Sequence, residues 1–490
     1  MKINSMLIRL SAATFLMYTC AISSAYAADY WVSKSGNDSN GCTTATTDSC
    51  LTIQKAISLA GSGDNVNITS GTYVEDSAIS PYTNKCVWMD SYYASLCINN
   101  SGTKNNPITI QAAPGDVGKV VLDSQLSRIG IHIMNSDYIH IKGLTLKNNY
   151  IIGIASWGQV KNAVPDIGRL SIGVVIDNDY IYNTGGPWGY NISGIGMWGS
   201  KDWIVKNSHI DKVYTINSTR EAAGIQAYGV INALVENNYI ENTAYGIFWK
   251  DHYVKDAITR EPWFESEIRY NKMRISAIGV LIGIRGSNSP EAGENYIHHN
   301  IIYGLSTDGR GISADLAGAS GISAPIRIEH NLIDGGGVRS ISVSLDSNSS
   351  AVIKGNIFTG SSLGLELIRR TNPAKVVSLT YSDYNIFDQS FGIIADRYSA
   401  NSKQYTKLSD WQSTLASQLL TLGINNPDQH STTASARNLF SDTGSTDYKY
   451  RTSSIANNFM PDGSNAGPYQ YGTEVIGGIR PMAPTLKIVN

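Results

Sequence analysis

A six-residue step recurs through this chain at intervals of about thirty residues. Residues 235–240 read Val235-Glu236-Asn237-Asn238-Tyr239-Ile240, and the plan returns at 268–273, 297–302, 328–333 and 353–358. Each copy has an apolar residue, two variable ones, Asn, one further residue and a second apolar residue. Residues 382–387 are a looser copy, and 176–181 and 205–210 carry Asp179 and Ser208 in the Asn slot. The slot therefore holds Asp179, Ser208, Asn238, Asn271, Asn300, Asn331, Asn356 and Asn385, at spacings of 25 to 33 residues. One unit of this length cannot bury its own apolar face. Repetition at such a period means a solenoid, in which each turn covers its neighbours.

The repeat has a second beat. A Gly–apolar pair opens another short segment at Gly194-Ile195, Gly224-Ile225, Gly246-Ile247, Gly279-Val280, Gly311-Ile312, Gly364-Leu365 and Gly392-Ile393. Two or three strands of three to six residues per turn predict an all-β chain folded as a right-handed parallel β-helix. An α-solenoid needs apolar spacing of 3.6 over longer stretches than these. Stacked turns bring equivalent side chains to about 4.8 Å. Inward Ile, Val and Leu then form the core, and inward Asn side chains bond to the turns above and below, which satisfies their burial.

A chain of 490 residues is long for one globular core, but a solenoid grows along its axis without that limit. The net charge of −2 and the absence of a basic stripe exclude the electrostatic footprint of a nucleic-acid binder. Tyr outnumbers Phe by 28 to 8, which suits a surface that meets sugars, because Tyr offers an apolar face with a polar tip. Residues 1–27 read as an export signal: Lys2 and Arg9 lead an apolar run that ends in Ala25-Tyr26-Ala27. The expected location is periplasmic or extracellular. No other run is long enough to cross a membrane. Without Cys20, four cysteines remain. Proximity favours Cys42–Cys50 and Cys86–Cys97 among the three pairings.

Residues 52–60 have helical apolar spacing behind a Thr52 cap, and predict a helix that plugs the N-terminal end of the solenoid. The expected organisation is a signal over 1–27, a capped β-helix over 28–397, and an irregular segment over 398–490 that packs along the solenoid and caps its far end. Residues 156–170 and 251–267 interrupt the period and read as loops on a binding face. The N-terminal stretch GNDSNG…CLTIQKAISLAGSGDNVNITSGTYVE resembles the opening of bacterial right-handed parallel β-helix proteins of the pectate-lyase-like superfamily. The stretches YTKLSDWQ (405–412), NLFSD (438–442) and AGPYQYG (466–472) resemble that group's C-terminal segment. The resemblance implies the fold. It leaves the reaction among lyases, epimerases, hydrolases and members without an assigned activity.

The candidate chemistry lies where strands end in charge. Lys250 closes a strand that opens at Gly246. Arg285 and Asp315 close the two that follow. A Lys–Arg pair on neighbouring turns suits β-elimination from a uronic acid. The C5 proton is weakly acidic, so the adjacent carboxylate must be neutralised while enolate charge develops. Arg285 supplies that charge, and a nearby cation favours the neutral amine a base requires. The pair resembles the Lys base and Arg of chondroitinase B and related alginate lyases. Those enzymes carry acidic calcium ligands shortly before the Lys. Residues 245–249 hold no carboxylate, so no metal ligands are assigned and calcium stays an open cofactor. Trp198, Tyr228 and Trp249 are candidates to stack on sugar rings, with Arg220, His252 and Asp315 as polar contacts. The expected partner is an anionic polysaccharide bound by a monomer. A hydrolase would need two acids at about 5–9.5 Å, for which Asp251 and Asp315 are the nearest pair. A non-catalytic carbohydrate-binding protein is the alternative from a different class. Asp177, Asp179 and Asp211 match no calcium loop, and His298 and His299, inside the step, read as structural.

Overall fold

In a computed structural model, the described residues are 27–469, except 84–85, 89–91, 157–169, 188–190, 217–221, 251–264, 284–292, 317–323, 336, 346–348, 370–379, 389–391, 399–400, 420–427 and 442–446. The expected signal, the loops at 157–169 and 251–264, and the far C-terminus lie outside them.

The chain coils through three parallel sheets, one strand to each sheet per turn. The first holds twelve strands, from Asp29–Val32 through Val175–Asp177, Ile204–Lys206, Ala233–Glu236 and Ser266–Arg269 to Thr380–Asp383. The second follows the Asn slot and includes Tyr180–Gly186, His209–Thr215 and Ile301–Tyr303. The third follows the Gly beat and includes Ile192–Lys201, Ala222–Ile231, Arg310–Asp315 and Arg339–Leu345. Strands Tyr239–Lys250 and Lys272–Gly283 run through both the second and third sheets, and their pairing shifts between Glu241 and Tyr245.

The step fits this geometry residue by residue. Its first apolar position stacks as Ile176, Val205, Val235, Ile268, Ile297, Ile328 and Ile353. Its second stacks as Ile181, Ile210, Ile240, Met273, Ile302, Ile333 and Phe358. All are buried in one continuous core. The residue before the slot turns the chain in the left-handed region, at Asn178, Asn207, Asn237, Tyr270, His299, His330 and Tyr384. The Asn side chain points inward at every copy. Asn238 Nδ2 donates to Asn271 Oδ1 at 2.9 Å, Asn271 to Asn300 at 3.0 Å, Asn300 to Asn331 at 3.0 Å, Asn331 to Asn356 at 3.1 Å and Asn356 to Asn385 at 3.1 Å. The expected amide ladder is present.

The Gly beat has a steric cause. A Cβ on Gly246 would lie 2.5 Å from the Gly279 carbonyl oxygen and 2.7 Å from Met273 Sδ. One on Gly279 would lie 2.5 Å from Ile302 Cγ2 and 2.6 Å from the Gly311 oxygen. The corner between the second and third sheets leaves no room for a side chain. Gly392 breaks the series: it pairs with Leu363, so Leu365 faces Ile394 and not Ile393. This slip falls where the last coil turns into the antiparallel hairpin of Gly392–Tyr398 and Asn401–Tyr405.

Both ends of the core are closed. Helix Ile53–Leu59 is capped by Thr52, whose hydroxyl accepts from Lys55 N at 3.2 Å, and it buries Ile53, Ala56 and Ile57. At the far end Trp411, on helix Leu408–Leu419, joins the core and donates to Asp428 Oδ2 at 2.9 Å. Asp428 Oδ1 accepts from Ser382 and Ser431 at 3.0 and 2.6 Å. Phe440, Tyr448 and Tyr450 cover Ile301, Leu332, Ile357 and Ile386 on the outer face of the second sheet. Disulfides join Cys42 to Cys50 and Cys86 to Cys97.

Outside the slot, imidazoles stack. His299 lies 4.8 Å from His330 with the rings 13° apart, and His298 Nδ1 is 2.7 Å from His299 Nδ1. Burial, then the charges of His330 and His298, push His299 down to about 3; burial also lowers His298 and His330. The unfolded chain therefore binds protons that the folded one refuses. Stability should be complete above about 6.5, the ordinary imidazole value, and fall as pH drops from there towards 3. Each unit of depression is worth about 1.4 kcal/mol. Thermal unfolding against pH should show a shallower acid decline in His299→Gln than in the wild type; parallel curves would remove this cause.

Candidate active site

Strand geometry decides which predicted residues share a surface. Successive side chains alternate between faces, so the neighbours of a core residue point out. In the third sheet Met197, Ala227, Trp249, Ile282, Ala314 and Val343 stack inside. The next position along each strand forms an outward row: Trp198, Tyr228, Lys250, Gly283, Asp315 and Ser344. The position before forms a second row of Gly196, Gln226, Phe248, Leu281, Ser313 and Ser342.

The first row brings Trp198, Tyr228, Lys250 and Asp315 onto one ladder. Trp249 does not belong with them. It is fully buried in the core, because it stands one residue from Lys250 and so faces the other way. A sugar cannot stack on it. Arg220, His252 and Arg285, with Asp251 of the hydrolase pair, lie outside the described residues. Lys250 pairs with Gly283 and Gly283 with Asp315, so Asp315 stands in the Lys250 row.

The aromatic part of the row is packed. Trp198 is 6% exposed and Tyr228 8%, so little ring surface is open to a ligand. Their rings lie 5.9 Å apart, and both join a cluster with Ile151, Ile152, Ala155 and the Cys86–Cys97 disulfide. Tyr228 OH donates to Asn191 Oδ1 at 3.0 Å and accepts from Gln226 Nε2 at 3.2 Å. The Lys250 ammonium stands 5.6 Å from the centre of the Tyr228 ring. Tyr228 thus acts as a fixed floor under the amine. On the other side of Lys250 the row is empty of side chain: a Cβ at Gly283 would meet no described atom within 4 Å.

Gln226, Asn191 and Phe248 are the parts of this surface that the sequence reading does not include. Gln226 and Phe248 follow from parity, two residues before Tyr228 and Lys250. Asn191 sits in a connecting segment and carries no such signal. The calcium candidates are also dispersed. Asp177 is on the first sheet, Asp179 is buried in the slot with Oδ1 accepting from Leu144 N at 2.7 Å, and Asp211 is on the second sheet.

Comparison with known proteins agrees with the fold. Residues 193–380 match the family described as right handed beta helix region. No curated protein matches the sequence. Among solved structures, pectate lyase Pel9A is similar over 91% of this chain and 97% of its own, at 13% identity and a TM-score of 0.51. A mannuronic acid specific polysaccharide family 6 lyase from human gut microbiota covers 71% of this chain and 74% of its own, at 14% identity and a TM-score of 0.42. A GH136 lacto-N-biosidase from Eubacterium ramulus covers 74% and 67%, at 15% identity and a TM-score of 0.39. At 13% identity the likeness to Pel9A shows a shared fold and no more.

Proposed function

We propose, for a chain that is a right-handed β-helix protein of pectate-lyase-like fold, that it is an exported lyase cleaving a uronate-containing polysaccharide by β-elimination. Lys250 is the base and Arg285 the group that faces the uronate carboxylate. The observation that supports this reading is the placing of Lys250 between Tyr228, whose ring lies 5.6 Å under the amine, and Gly283, which carries no side chain. A sugar ring set there would bring C5 to the amine. Arg285 is two residues beyond Gly283, at most about 7 Å along the chain. The amine takes the C5 proton, electron density moves into the carboxylate under the Arg charge, and the C4–O bond breaks; the departing oxygen takes a proton from water, and an unsaturated sugar is left. Asp315, in the same row, is a polar contact for the neighbouring sugar.

The reaction leaves a product that hydrolysis cannot. Incubation with alginate, polygalacturonate and chondroitin or dermatan sulfates should give rising ultraviolet absorbance from unsaturated uronate ends with at least one polymer. New reducing ends without that absorbance would mean hydrolysis and would overturn the assignment.

A further inference from the structure

The outer face of the second sheet carries a group of side chains that elimination does not use. His209 and Asp211 flank the core residue Ile210 on strand His209–Thr215. Tyr239 and Glu241 flank Ile240 on the next strand, in register, so that Asp211 stands directly opposite Glu241. Like charges at paired positions on adjacent strands repel. Asn242 Nδ2 donates to Asp211 Oδ1 at 2.7 Å, Tyr180 OH to Asp211 Oδ2 at 3.4 Å and Tyr239 OH to Glu241 Oε2 at 3.0 Å. His209 Nε2 is 3.0 Å from Glu241 Oε1.

His209 is only 5% exposed, yet its Nδ1 is buried without a hydrogen-bond partner. The ring nitrogen that faces Glu241 is Nε2, so an ion would be held through Nε2. One ring nitrogen of His209 and one oxygen each from Asp211 and Glu241 lie within 4.8 Å of one another.

We propose that His209, Asp211 and Glu241 bind a single divalent cation of the zinc or manganese class. Zinc bonds of about 2.0–2.2 Å set tetrahedral ligand atoms about 3.4 Å apart, so the three side chains must draw together by up to about 1.4 Å on binding. An imidazole with two carboxylates favours a transition-type ion over calcium or magnesium, which take oxygen ligands. The ion replaces the His209–Glu241 hydrogen bond and neutralises the facing charges. Tyr239, Tyr180 and Asn242 remain on the carboxylates and orient them, as outer partners do at metal centres. Because its ligands come from adjacent coils, the ion pins one turn of the solenoid to the next.

The test uses the full-length protein after treatment with EDTA, titrated calorimetrically with ZnCl2, MnCl2 or CaCl2, with the thermal midpoint read in parallel. Saturable uptake of one Zn2+ or Mn2+ with a raised midpoint is expected. His209→Gln and Asp211→Asn should each weaken it by at least about tenfold. Asp211 is only partly buried and decides the matter if His209→Gln does not fold. Absence of saturable uptake by the wild type overturns the proposal. So does uptake unchanged in Asp211→Asn, or calcium binding that equals zinc binding and survives His209→Gln. None of these readouts depends on lyase activity.

Discussion

Lys250→Ala should lower turnover by about 10²–10⁴-fold on any polymer the wild type cleaves, while polymer binding largely survives. The amine acts in the transition state, so its loss falls on kcat. The fold should tolerate the change, since a partly exposed cation over a ring contributes only about 0.5–1 kcal/mol. Arg285→Ala should lower both turnover and affinity, because a cation facing the carboxylate already binds the ground state. Arg285→Lys should rescue poorly, as one ammonium cannot reproduce the planar fork. Steady-state kinetics with a parallel binding measurement separates these outcomes. Near-normal rates in Lys250→Ala would move the base elsewhere.

Asn300→Ala should be among the most destabilising single changes in the molecule. Asn300 Oδ1 accepts from the backbone N and the Nδ2 of Asn271 at 3.0 Å each. Its own Nδ2 donates to the oxygens of Ile268 and His298 and to Asn331 Oδ1. The substitution leaves at least two buried polar groups unpaired, each costing about 1–3 kcal/mol. A loss of about 3 kcal/mol or more is expected in chemical unfolding. Asn300→Ser should cost less, since Ser208 occupies the same slot near the start of the ladder and its hydroxyl accepts from Asp179 N at 3.2 Å and donates to the Lys206 oxygen at 2.9 Å. Equal stability of Asn300→Ala and wild type would show that water replaces the amide.

The parts of the fold that a reader can take from the sequence are those the repeat writes many times. The Asn slot is legible because one residue type recurs at a fixed offset between two apolar ones, and only a stacked turn satisfies a buried amide that way. The Gly beat is legible as a position but not as a cause, since the clash with the next turn's carbonyl exists only once turns are stacked. Lys250 and Asp315 are legible as a pair through equal distance from their glycines. Trp249 misleads because composition overrides parity: a Trp beside a Lys reads as a sugar platform until alternation sends it inward. The His209–Asp211–Glu241 group is visible only after pairing, since its members come from two coils and only Asp211 stands out in the sequence as a metal candidate. The packing of Phe440, Tyr448 and Tyr450 on the second sheet depends on the shape of a finished surface, which no local pattern encodes.

The ladder of Asn side chains has an electrical direction. Every amide from Asn238 to Asn356 offers its N–H side towards the C-terminal end and its oxygen towards the N-terminal end, so their dipoles add head to tail along the axis. Side-chain dipoles aligned in this way place partial charge at the ends of a row, as peptide dipoles do in a helix. The positive end is Asn385, whose Nδ2 lies 3.4 Å from Asp428 Oδ1. Burial pushes the Asp428 carboxyl upward, and bonds from Ser431, Trp411, Ser382 and Asn385 act against that shift. The solenoid thus ends as a helix begins, with an acidic residue set against the positive pole of a stack of oriented amides.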